Sequence, residues 1–421
     1  MRVAVWKTIG VWVLLALIGC DSPSKTVIRF WAIGREGEVL NALLEPFSAQ
    51  HPNVQIVVER LPWSGAHAKL LTAVAGDSMP DLCQLGNTWV PELVALKALL
   101  PLDEWVKASP SIEQADYFEG IWSTAKMNGR SYAIPWYVDT RLLFYRKDIL
   151  QQAGFNHPPR DWSEWLLQMR AIKRLDQSRY AIFLPLNEFE PMVAFGLQQR
   201  SPLIDEPTAT AEFQSAEFAT ALNFYSRIFE EGLAFKMTNQ QMSNVWTEFG
   251  RGYFSFYISG PWNIAEFARR LPPSIQKQWA TAPLPGPNGP GASIAGGSSL
   301  AIFKSSRHPK EAWEIVEYLS RPDVQERFHS LTGDLPPRRS TWSRPRLAQD
   351  DYAQAFLEQL ERVKPTPRVP EWEQIANELQ VYVEHIVMGD YSVSEGMARL
   401  NESANRMLAK RRSLLESGEI L

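Results

Sequence analysis

Tryptophans and carboxylates are the residues of this 421-residue chain whose types and positions could support ligand recognition. There are 16 Trp, 20 Phe and 12 Tyr, and several tryptophans stand beside Gly, Pro or Asn, as Trp262 does in SGPWN. A flat indole offers an apolar face for stacking, and a carboxylate accepts strong hydrogen bonds from paired hydroxyls. Such side chains at strand ends predict a site for a ring compound rich in hydroxyls, such as a sugar. The competing interpretation of each tryptophan is a core position.

A second chemical signal lies near the N-terminus. Arg2 and Lys7 form a short basic segment before an apolar run over residues 9–18, which is shorter than the ~20 residues that span a bilayer. The run suits the apolar region of a secretory signal, which is about 7–15 residues long. The run ends in LIGC, which resembles the lipobox of bacterial lipoproteins. This resemblance implies a signal peptide over residues 1–19 and a lipid on Cys20. The alternative is an ordinary signal peptide or N-terminal anchor with a chance cysteine.

Composition narrows the class of protein. The chain that would remain after the signal is too long for one ordinary core, so two domains are expected. A net charge of −4 argues against a nucleic-acid partner, which would favour a basic face. The two cysteines and six histidines are too scattered for a metal cluster, and no cofactor is expected. Cys83 is predicted to be a small buried hydrophobe.

Catalytic motifs are missing from the sequence. It contains no phosphate-binding glycine loop, HExxH or GxSxG. Glu188 and Glu190 could suggest glycoside hydrolysis, which needs two carboxyl groups about 5–10 Å apart. They stand two residues apart, and no complementary acid can be placed. The sequence therefore favours a binding protein over an enzyme.

The first part of the chain predicts a parallel sheet with covering helices. Strands are predicted at 26–31, 53–59 and 81–85, with helices at 38–49 and at 64–76, the latter capped by Ser64. This β-α-β-α-β order is typical of a parallel sheet. Ligands of such sheets bind beyond the carboxyl ends of the strands. Those ends are residues 32–36, 60–64 and 86–89.

The rest of the chain alternates further strands and helices around an irregular stretch at 283–297, which is rich in Pro and Gly and predicts a loop or an interdomain crossing. Two strand halves are predicted within 130–145, around Pro135-Trp136-Tyr137. A helix at 162–175 should be capped by Asp161 or Ser163. Further strands are predicted at 181–186, 255–259 and 299–303, and further helices at 213–231, 310–319, 350–362, 372–388 and 394–411.

Seven stretches carry a family resemblance over essentially the whole chain after Cys20. In order, they are FWAIGREGEVLNALLEPFSAQHPNVQIVV, AGDSMPDLCQLGNTW, NGRSYAIPWYVDTRLLFYRKDILQQAGFNHPPRDWSEW, GRGYFSFYISGPWNI, AGGSSLAIFKSSRHPKEAWEIVEYLSRPDVQERF, GDLPPRR and VPEWEQIANELQVYVEHIVMGDYSVSEGMARL. In these stretches and their order, the chain resembles the extracellular solute-binding proteins of ABC importers, in particular the carbohydrate-binding group.

The resemblance implies an α/β protein of two lobes with a hinge and an interlobe ligand cleft. It implies chain crossings near 138–139, 282–285 and 332–335. The expected function is capture of a di- or oligosaccharide and its delivery to ABC permease subunits. The expected protein is a monomer that is anchored through Cys20 in the cell envelope and faces the periplasm or the extracellular side. The implied divisions are a tether at 20–26, an N-terminal lobe of 27–138 and 286–332, and a C-terminal lobe of 139–285 and 333–421.

The resemblance also implies ligand-binding residues. Trp262 and Trp372 match stacking tryptophans of the maltose-binding group, and Asp139 and Glu190 match its ligand carboxylates. Two departures set this chain apart, because Met192 replaces a stacking tyrosine, and Leu85 and Thr88 replace a Trp and an Asp. The sugar subsites are therefore expected to differ. The remaining candidates are Arg35, Glu36, Trp63, Asn87, Trp89, Trp136, Tyr137, Gly296, Gly297, Ser298 and Arg338.

Other functions of the same fold stay open at the level of sequence. A polyamine, a phosphate ester or an iron chelate could replace the sugar. A phosphate ester would require several arginines or backbone nests, and iron would require Tyr or His clusters, whereas the tryptophans favour a sugar. A glycoside-active enzyme is a less favoured alternative. A structural or sensory lipoprotein without an importer is another.

Overall fold

Two sheets, one in each lobe, form the framework of the protein. The computed structural model describes residues 25–419, so the predicted signal peptide, Cys20 and most of the predicted tether lie outside the described residues. In the first sheet three parallel strands are followed by two antiparallel pairings. In sheet order its strands are Val54–Leu61, Thr26–Ile33, Leu82–Gly86, Gly296–Ile302 and Ile134–Asp139.

The helices beside the first sheet begin directly at the strand ends. Gly34 has φ +64°, which only glycine adopts readily, and it turns the chain from strand into the helix Gly34–Gln50. Arg35 and Glu36 therefore lie in the first turn of this helix, which begins before the predicted start at residue 38. The next helix, Trp63–Ala75, follows Pro62 with no side-chain cap, so the predicted Ser64 cap is wrong.

The strand Ile134–Asp139 corrects a prediction. Pro135, Trp136 and Tyr137 lie inside this strand rather than between two strand halves. The sheet tolerates Pro135 because the strand is at the sheet edge, and the register shifts opposite it, between Ser298 and Ser299. Proline lacks an N–H and is confined to such edge or irregular positions.

The second sheet has four strands, which in order are Trp279–Ala282, Leu142–Arg146, Phe256–Ser259 and Ile182–Phe183. The predicted strand 181–186 is thus reduced to two residues. Asp161 caps the helix Trp162–Leu175 by accepting a hydrogen bond from the Glu164 N–H at 2.9 Å, as predicted. The other helices before residue 280 in this lobe are Lys147–Gln152, Glu190–Gln198, Ala216–Glu230, Val245–Gly250 and Trp262–Arg270.

Three connections join the two lobes. The chain passes from the first sheet to the second between Asp139 and Leu142. It returns through short strands before Gly296. The third connection follows the helix Pro322–Thr332, which ends at Gly333 (φ +88°). There the Val138 N–H donates to the Leu335 carbonyl at 2.9 Å, so the first and third connections are bonded side by side. The predicted lobe boundaries remain a prediction.

The remaining elements complete the two lobes. The stretch 283–297 holds short pairings, Pro285–Gly286 with Gly289–Pro290 and Ser293–Ile294 with Val363–Lys364. The other small pairs are Lys126–Met127 with Arg130–Ser131 and Ile204–Asp205 with Thr210–Ala211. The other helices are Val90–Ala95, Asp103–Ala108, Glu119–Thr124, Pro309–Leu319, Pro322–Thr332, Arg339–Trp342, Pro345–Ala348, Asp351–Leu360, Trp372–Met388 and Val393–Glu416.

Cys83 is a buried free thiol inside the first lobe, as predicted, and burial raises its pKa well above the usual value. Between residues 25 and 419 no helix is long and apolar enough to cross a membrane. Within the same range, no group of three or more His, Cys, Asp or Glu side chains is arranged to hold a metal ion.

Candidate ligand-binding cleft

A cavity of about 590 Å³ lies between the lobes, within the usual range for small-molecule sites. The first lobe contributes residues at the carboxyl ends of its strands, the second lobe contributes helix N-termini, and the connections contribute the floor. Its lining residues are Arg35, Glu36, Trp63, Gly86, Asn87, Thr88, Trp89, Tyr137, Asp139, Phe189, Glu190, Trp262, Ile294, Ala295, Gly296, Gly297, Asp334, Thr366 and Glu373.

Two tryptophans form the aromatic part of the first-lobe wall. The rings of Trp63 and Trp89 meet edge to face, with centroids 5.7 Å apart. His67 stacks on Trp89 at 5.0 Å, and its Nε2 lies 2.7 Å from Glu92 Oε2. The hydrogen bond to Glu92 raises the pKa of His67. Trp63 is 43% exposed, so its indole has free surface to offer a ligand.

Trp262 is the aromatic residue of the opposite wall. It is the first residue of the helix Trp262–Arg270, directly after Gly260 and Pro261. The guanidinium carbon of Arg141 lies 4.7 Å from the centroid of the indole. Phe189 and Glu190 complete this wall at the start of the helix Glu190–Gln198. The cavity therefore has indoles on both sides.

Each of these three tryptophans lies against a glycine at a strand end. An ideal Cβ on Gly34 would stand 2.5 Å from Trp63 Nε1, and one on Gly260 would stand 1.8 Å from Trp262 Cζ3. The contact of Gly86 with Trp89 is looser, at 3.1 Å. A larger residue at Gly34 or Gly260 would displace the indole, because real Cβ atoms do not approach other atoms so closely.

Buried carboxyl groups form the floor. Glu36 and Asp334 are each 7% exposed. Burial raises the pKa of Glu36, and nearby Asp139 raises it further. Burial also raises the pKa of Asp334 well above its usual value, with Glu36 and then Asp139 adding to the effect. One oxygen of Glu36, Oε2, is buried without a hydrogen-bond partner in the described chain. Donor groups of a ligand would satisfy these acceptors.

The polar network behind the floor fixes other lining residues. The hydroxyl of Tyr137 accepts hydrogen bonds from Ser298 Oγ at 3.0 Å and Gln84 Nε2 at 3.3 Å. Burial raises the pKa of Tyr137 well above its usual value, so the phenol stays neutral. Asn87 donates to the Ala295 carbonyl at 3.4 Å. These bonds tie the first-lobe sheet to the connection that lines the cavity.

The structure brings most of the predicted site residues to the cavity. Gly296 and Gly297 line it at the second connection, packed so closely on Asp139 and Tyr137 that a Cβ would stand 2.2 Å from a carbonyl oxygen of the facing strand. The predicted residues that line the cavity are Arg35, Glu36, Trp63, Asn87, Trp89, Tyr137, Asp139, Glu190, Trp262, Gly296 and Gly297.

Four predicted residues do not line the cavity, and two of them are tryptophans. Trp372 is the first residue of the helix Trp372–Met388 and is fully buried in the second-lobe core. Trp136 is buried and stacks on Phe328 at 4.5 Å. Side chains alternate along a strand, so the strand that turns Tyr137 and Asp139 to the cavity turns Trp136 away from it.

The other two predicted residues that do not line the cavity are Ser298 and Arg338. Ser298 is fully buried and supports the cavity indirectly, through Tyr137. Arg338 pairs with Asp116 at 2.6 Å and donates to the carbonyls of Ser111 and Ser320 at 2.8 and 2.7 Å. Its guanidinium is used by these structural contacts.

Sequence reasoning missed several lining residues. Glu373 directly follows the predicted Trp372, and Asp334 is an acidic residue inside a predicted crossing. The sequence therefore offered a reason to consider both as site residues. Thr88 stands between two predicted residues. Gly86 lies in a predicted strand end, and Ile294 and Ala295 lie in the predicted crossing 283–297. Phe189 and Thr366 carried no comparable signal.

Comparison with known proteins identifies the family. The family model for bacterial extracellular solute-binding proteins matches residues 31–326. The chain belongs to this family. Members bind substrates rather than convert them, and their extracellular character places this solute-binding protein in the periplasm or outside the cell.

Solved and curated relatives of this solute-binding protein span nearly its whole length. The structure of the sugar-binding protein MalE from Xanthomonas citri is 50% identical, with a TM-score of 0.90 over 93% of this chain and 99% of that one. The diacetylchitobiose binding protein DasA of Streptomyces coelicolor is 23% identical over 93% of this chain and 92% of its own. The arabinooligosaccharide-binding protein of Halalkalibacterium halodurans is 23% identical over 82% of this chain and 79% of its own.

Proposed function

We propose that this solute-binding protein captures a di- or oligosaccharide between its lobes and delivers it to the permease of an ABC importer. The observation that carries the proposal is that the indoles of Trp63 and Trp262 line opposite walls of the cavity, above buried carboxyl groups of which Glu36 has an oxygen without a hydrogen-bond partner in the described chain. Indoles cover the apolar faces of a sugar ring, and carboxylates accept from its hydroxyls. The relatives named above, whose descriptions refer to sugars or oligosaccharides, support this choice.

The proposed contacts follow from the positions of the lining side chains. Trp262 and Trp63 would stack on sugar rings from opposite walls. Glu36, Asp139 and Glu190 would accept hydrogen bonds from hydroxyl groups. The other proposed contacts are Arg35, Asn87, Trp89, Tyr137, the backbone of Gly296 and Gly297, and the newly found Asp334 and Glu373.

A polyamine is the second candidate ligand, because five carboxyl residues line the described cavity beside one arginine. A phosphate ester suits this charge balance poorly, since Arg35 already donates to the Leu331 carbonyl at 3.1 Å. An iron chelate would require Tyr or His clusters, and within residues 25–419 no group of three or more His, Cys, Asp or Glu side chains is arranged to hold a metal ion. Glycoside hydrolysis lacks support, since Glu188 does not line the cavity and accepts from Asn239 Nδ2 at 2.6 Å.

The anchor and the lobe boundaries are further parts of the proposal. A lipid on Cys20 would hold the protein at a membrane of the cell envelope, with the tether 20–26 leading to the first strand. We propose that the protein acts as a monomer. The proposed lobes are 27–138 with 286–332, and 139–285 with 333–421. The strand pairing Gly296–Ile302 with Leu82–Gly86 supports the return of the chain to the first lobe.

A thermal-shift screen of the processed chain tests the proposed ligand class. The panel contains di- and oligosaccharides, spermidine and a sugar phosphate. A ligand that binds only the folded protein stabilises it by RT ln(1 + [L]/Kd), or about 4 kcal/mol at a thousandfold excess over Kd. We expect a rise in melting temperature with a saccharide. A rise with spermidine or the sugar phosphate, and none with any saccharide, would replace the proposed ligand and keep the fold.

A further inference from the structure

One buried arginine contacts three candidate ligand residues of the cleft without lining the cavity itself. The side chain of Arg141 is 8% exposed. Its Nη1 donates to Asp139 Oδ1 at 2.8 Å, and its Nη2 donates to Glu190 Oε1 at 2.7 Å. The same guanidinium lies over the indole of Trp262 at 4.7 Å. Two N–H groups of one guanidinium and its contact with an indole are therefore in use.

The three contacted residues come from three separate elements. Asp139 ends the strand at the first connection, Glu190 begins the helix Glu190–Gln198, and Trp262 begins the helix Trp262–Arg270. Across residues 25–419, no hydrogen bond to either carboxylate comes from any residue other than Arg141. The relative placement of the two carboxylates thus depends on this one side chain.

We propose that Arg141 is the positioning residue of the second-lobe wall, which fixes Asp139, Glu190 and Trp262 in the arrangement that selects the saccharide. The inference rests on the proposed function and deepens it. An arginine suits the role because its planar fork can bond two carboxylates and stack on an indole at the same time, whereas a lysine offers a point charge.

Electrostatics give Arg141 a second effect on one of these residues. Asp139 is partly buried and lies near Glu190; desolvation and the Glu190 charge raise its pKa, while Arg141 lowers it. Without the guanidinium, the charged form of Asp139 would be less favourable beside a second carboxyl group. Arg141 therefore keeps Asp139 available as an acceptor for hydroxyl groups of a ligand.

The hydrogen bonding of Arg141 differs from that of a purely structural arginine. Arg141 Nε is buried with no partner in the described part of the chain, an arrangement that costs stability. Arg146, in the next strand, is equally buried. It donates to both oxygens of Asp148, at 2.8 and 2.7 Å, and to the Phe249 and Gly250 carbonyls, at 2.8 and 2.9 Å. Arg146 does not line the cleft and provides a matched control.

The test compares Arg141→Met and Arg141→Lys with Arg146→Met. Binding of maltose, maltotriose and trehalose is measured by titration calorimetry from about pH 6 to about pH 9, a range in which unperturbed carboxyl groups stay ionised. We expect Arg141→Met to weaken binding at least tenfold near neutral pH and to regain part of it as the pH rises, because Asp139 then ionises. Arg141→Lys should keep the pH profile of the wild type but change the order of preference among the three sugars. Arg146→Met should lower the melting temperature and leave affinity and pH profile unchanged once folded.

A ligand-free measurement separates this inference from the proposed function. The carboxyl ¹³C resonance of Asp139 is titrated in wild type and in Arg141→Met, or in Arg141→Lys if the methionine variant does not fold. We expect the pKa of Asp139 to be higher in the methionine variant than in wild type, and to be altered in the lysine variant as well. Unchanged titrations would overturn the role of Arg141, whatever the ligand is. Wild-type protein that binds no saccharide but shows the expected titration shift would refute the sugar and retain the positioning role. Sugar binding that is unaffected in every Arg141 variant would refute the positioning role alone.

Discussion

Gly260 and Trp262 are in such close contact that any side chain at position 260 would overlap the indole. The ideal Cβ position on Gly260 lies 1.8 Å from Trp262 Cζ3 and 2.4 Å from Cη2. The turn after the strand Phe256–Ser259 therefore fixes the position of the Trp262 indole. This contact ties the proposed ligand surface of the second lobe to a single backbone position.

Gly260→Ala should weaken saccharide binding through displacement of Trp262. We expect a loss of about 1–3 kcal/mol in stability, the usual range for overpacking, and a loss of affinity of at least tenfold. Calorimetry and melting curves measure the two quantities. Gly65→Ala is the matched control, since a Cβ there meets no atom within 4 Å and alanine favours a helix. Equal affinities of Gly260→Ala and wild type would show that the ring position does not matter for binding.

Trp262→Ala and Trp372→Ala should have opposite effects. Trp262 lines the cavity, so its truncation should reduce binding by roughly 2–4 kcal/mol, the range of an aromatic hot spot, with little change in unfolding free energy. Trp372 is fully buried, so its truncation should cost about 3–5 kcal/mol of stability. Ligand addition should also change the fluorescence of wild type more than that of Trp262→Ala. A Trp262→Ala protein that melts far earlier but binds normally would contradict the stacking role.

Asp334→Asn should stabilise the empty protein at neutral pH. A carboxyl whose pKa is raised by folding costs stability at pH values above its unfolded pKa, because ionisation is harder in the folded state. Burial, Glu36 and Asp139 raise the pKa of Asp334, so removing its charge removes that cost. We expect a higher melting temperature at pH 7, no such gain near pH 3, and weaker saccharide binding. A lower melting temperature at pH 7 would contradict the charge argument.

His67 should also make the free energy of unfolding depend on pH, and its contribution should be largest at lower pH. Its pKa is raised by the hydrogen bond to Glu92. The stabilisation is complete below the unfolded value of about 6.5 and is lost as the pH rises through the higher folded value. The difference in melting temperature between wild type and His67→Gln should be largest near pH 6 and shrink by pH 9. A constant difference would show that only packing on Trp89 matters.

Cys20→Ser should release the protein from the membrane or leave it unprocessed. Cell fractionation and mass analysis of the wild-type protein measure this directly. A soluble wild-type chain with an intact, unmodified Cys20 thiol would end the anchor proposal.

Sequence patterns predicted the elements of the fold better than the direction of individual side chains. Periodicity indicated the helix Trp372–Met388 with the bounds that the structure has, yet Trp372 enters the core while Glu373, one position later, lines the cavity. The ~100° rotation between successive helix residues separates these outcomes, and the packing of the whole lobe sets its phase. In the same way, residues 134–139 were predicted as parts of two strand halves instead of one strand, so the face that meets the cleft was not predicted either.

Contacts between side chains from distant segments could not be predicted from the sequence. Arg141 is next to the predicted Asp139, but its partners Glu190 and Trp262 begin helices that were not predicted. Only the folded second lobe brings these helix starts to one guanidinium. The resemblance supplied single residues of the site, and tertiary structure was needed to show what holds them.

The bond between Val138 and Leu335 has a consequence for the order of events during capture. Since this hydrogen bond joins two of the three connections, we expect them to form one hinge about which the lobes rotate. Asp139 and Asp334 belong to these connections and should move little during the rotation, whereas the indoles of Trp63 and Trp262, which belong to the lobes, should move further. We therefore expect an arriving solute to contact the floor residues first and to be enclosed by the indoles afterwards. Floor substitutions should then slow the initial encounter, and wall substitutions should shorten the residence time.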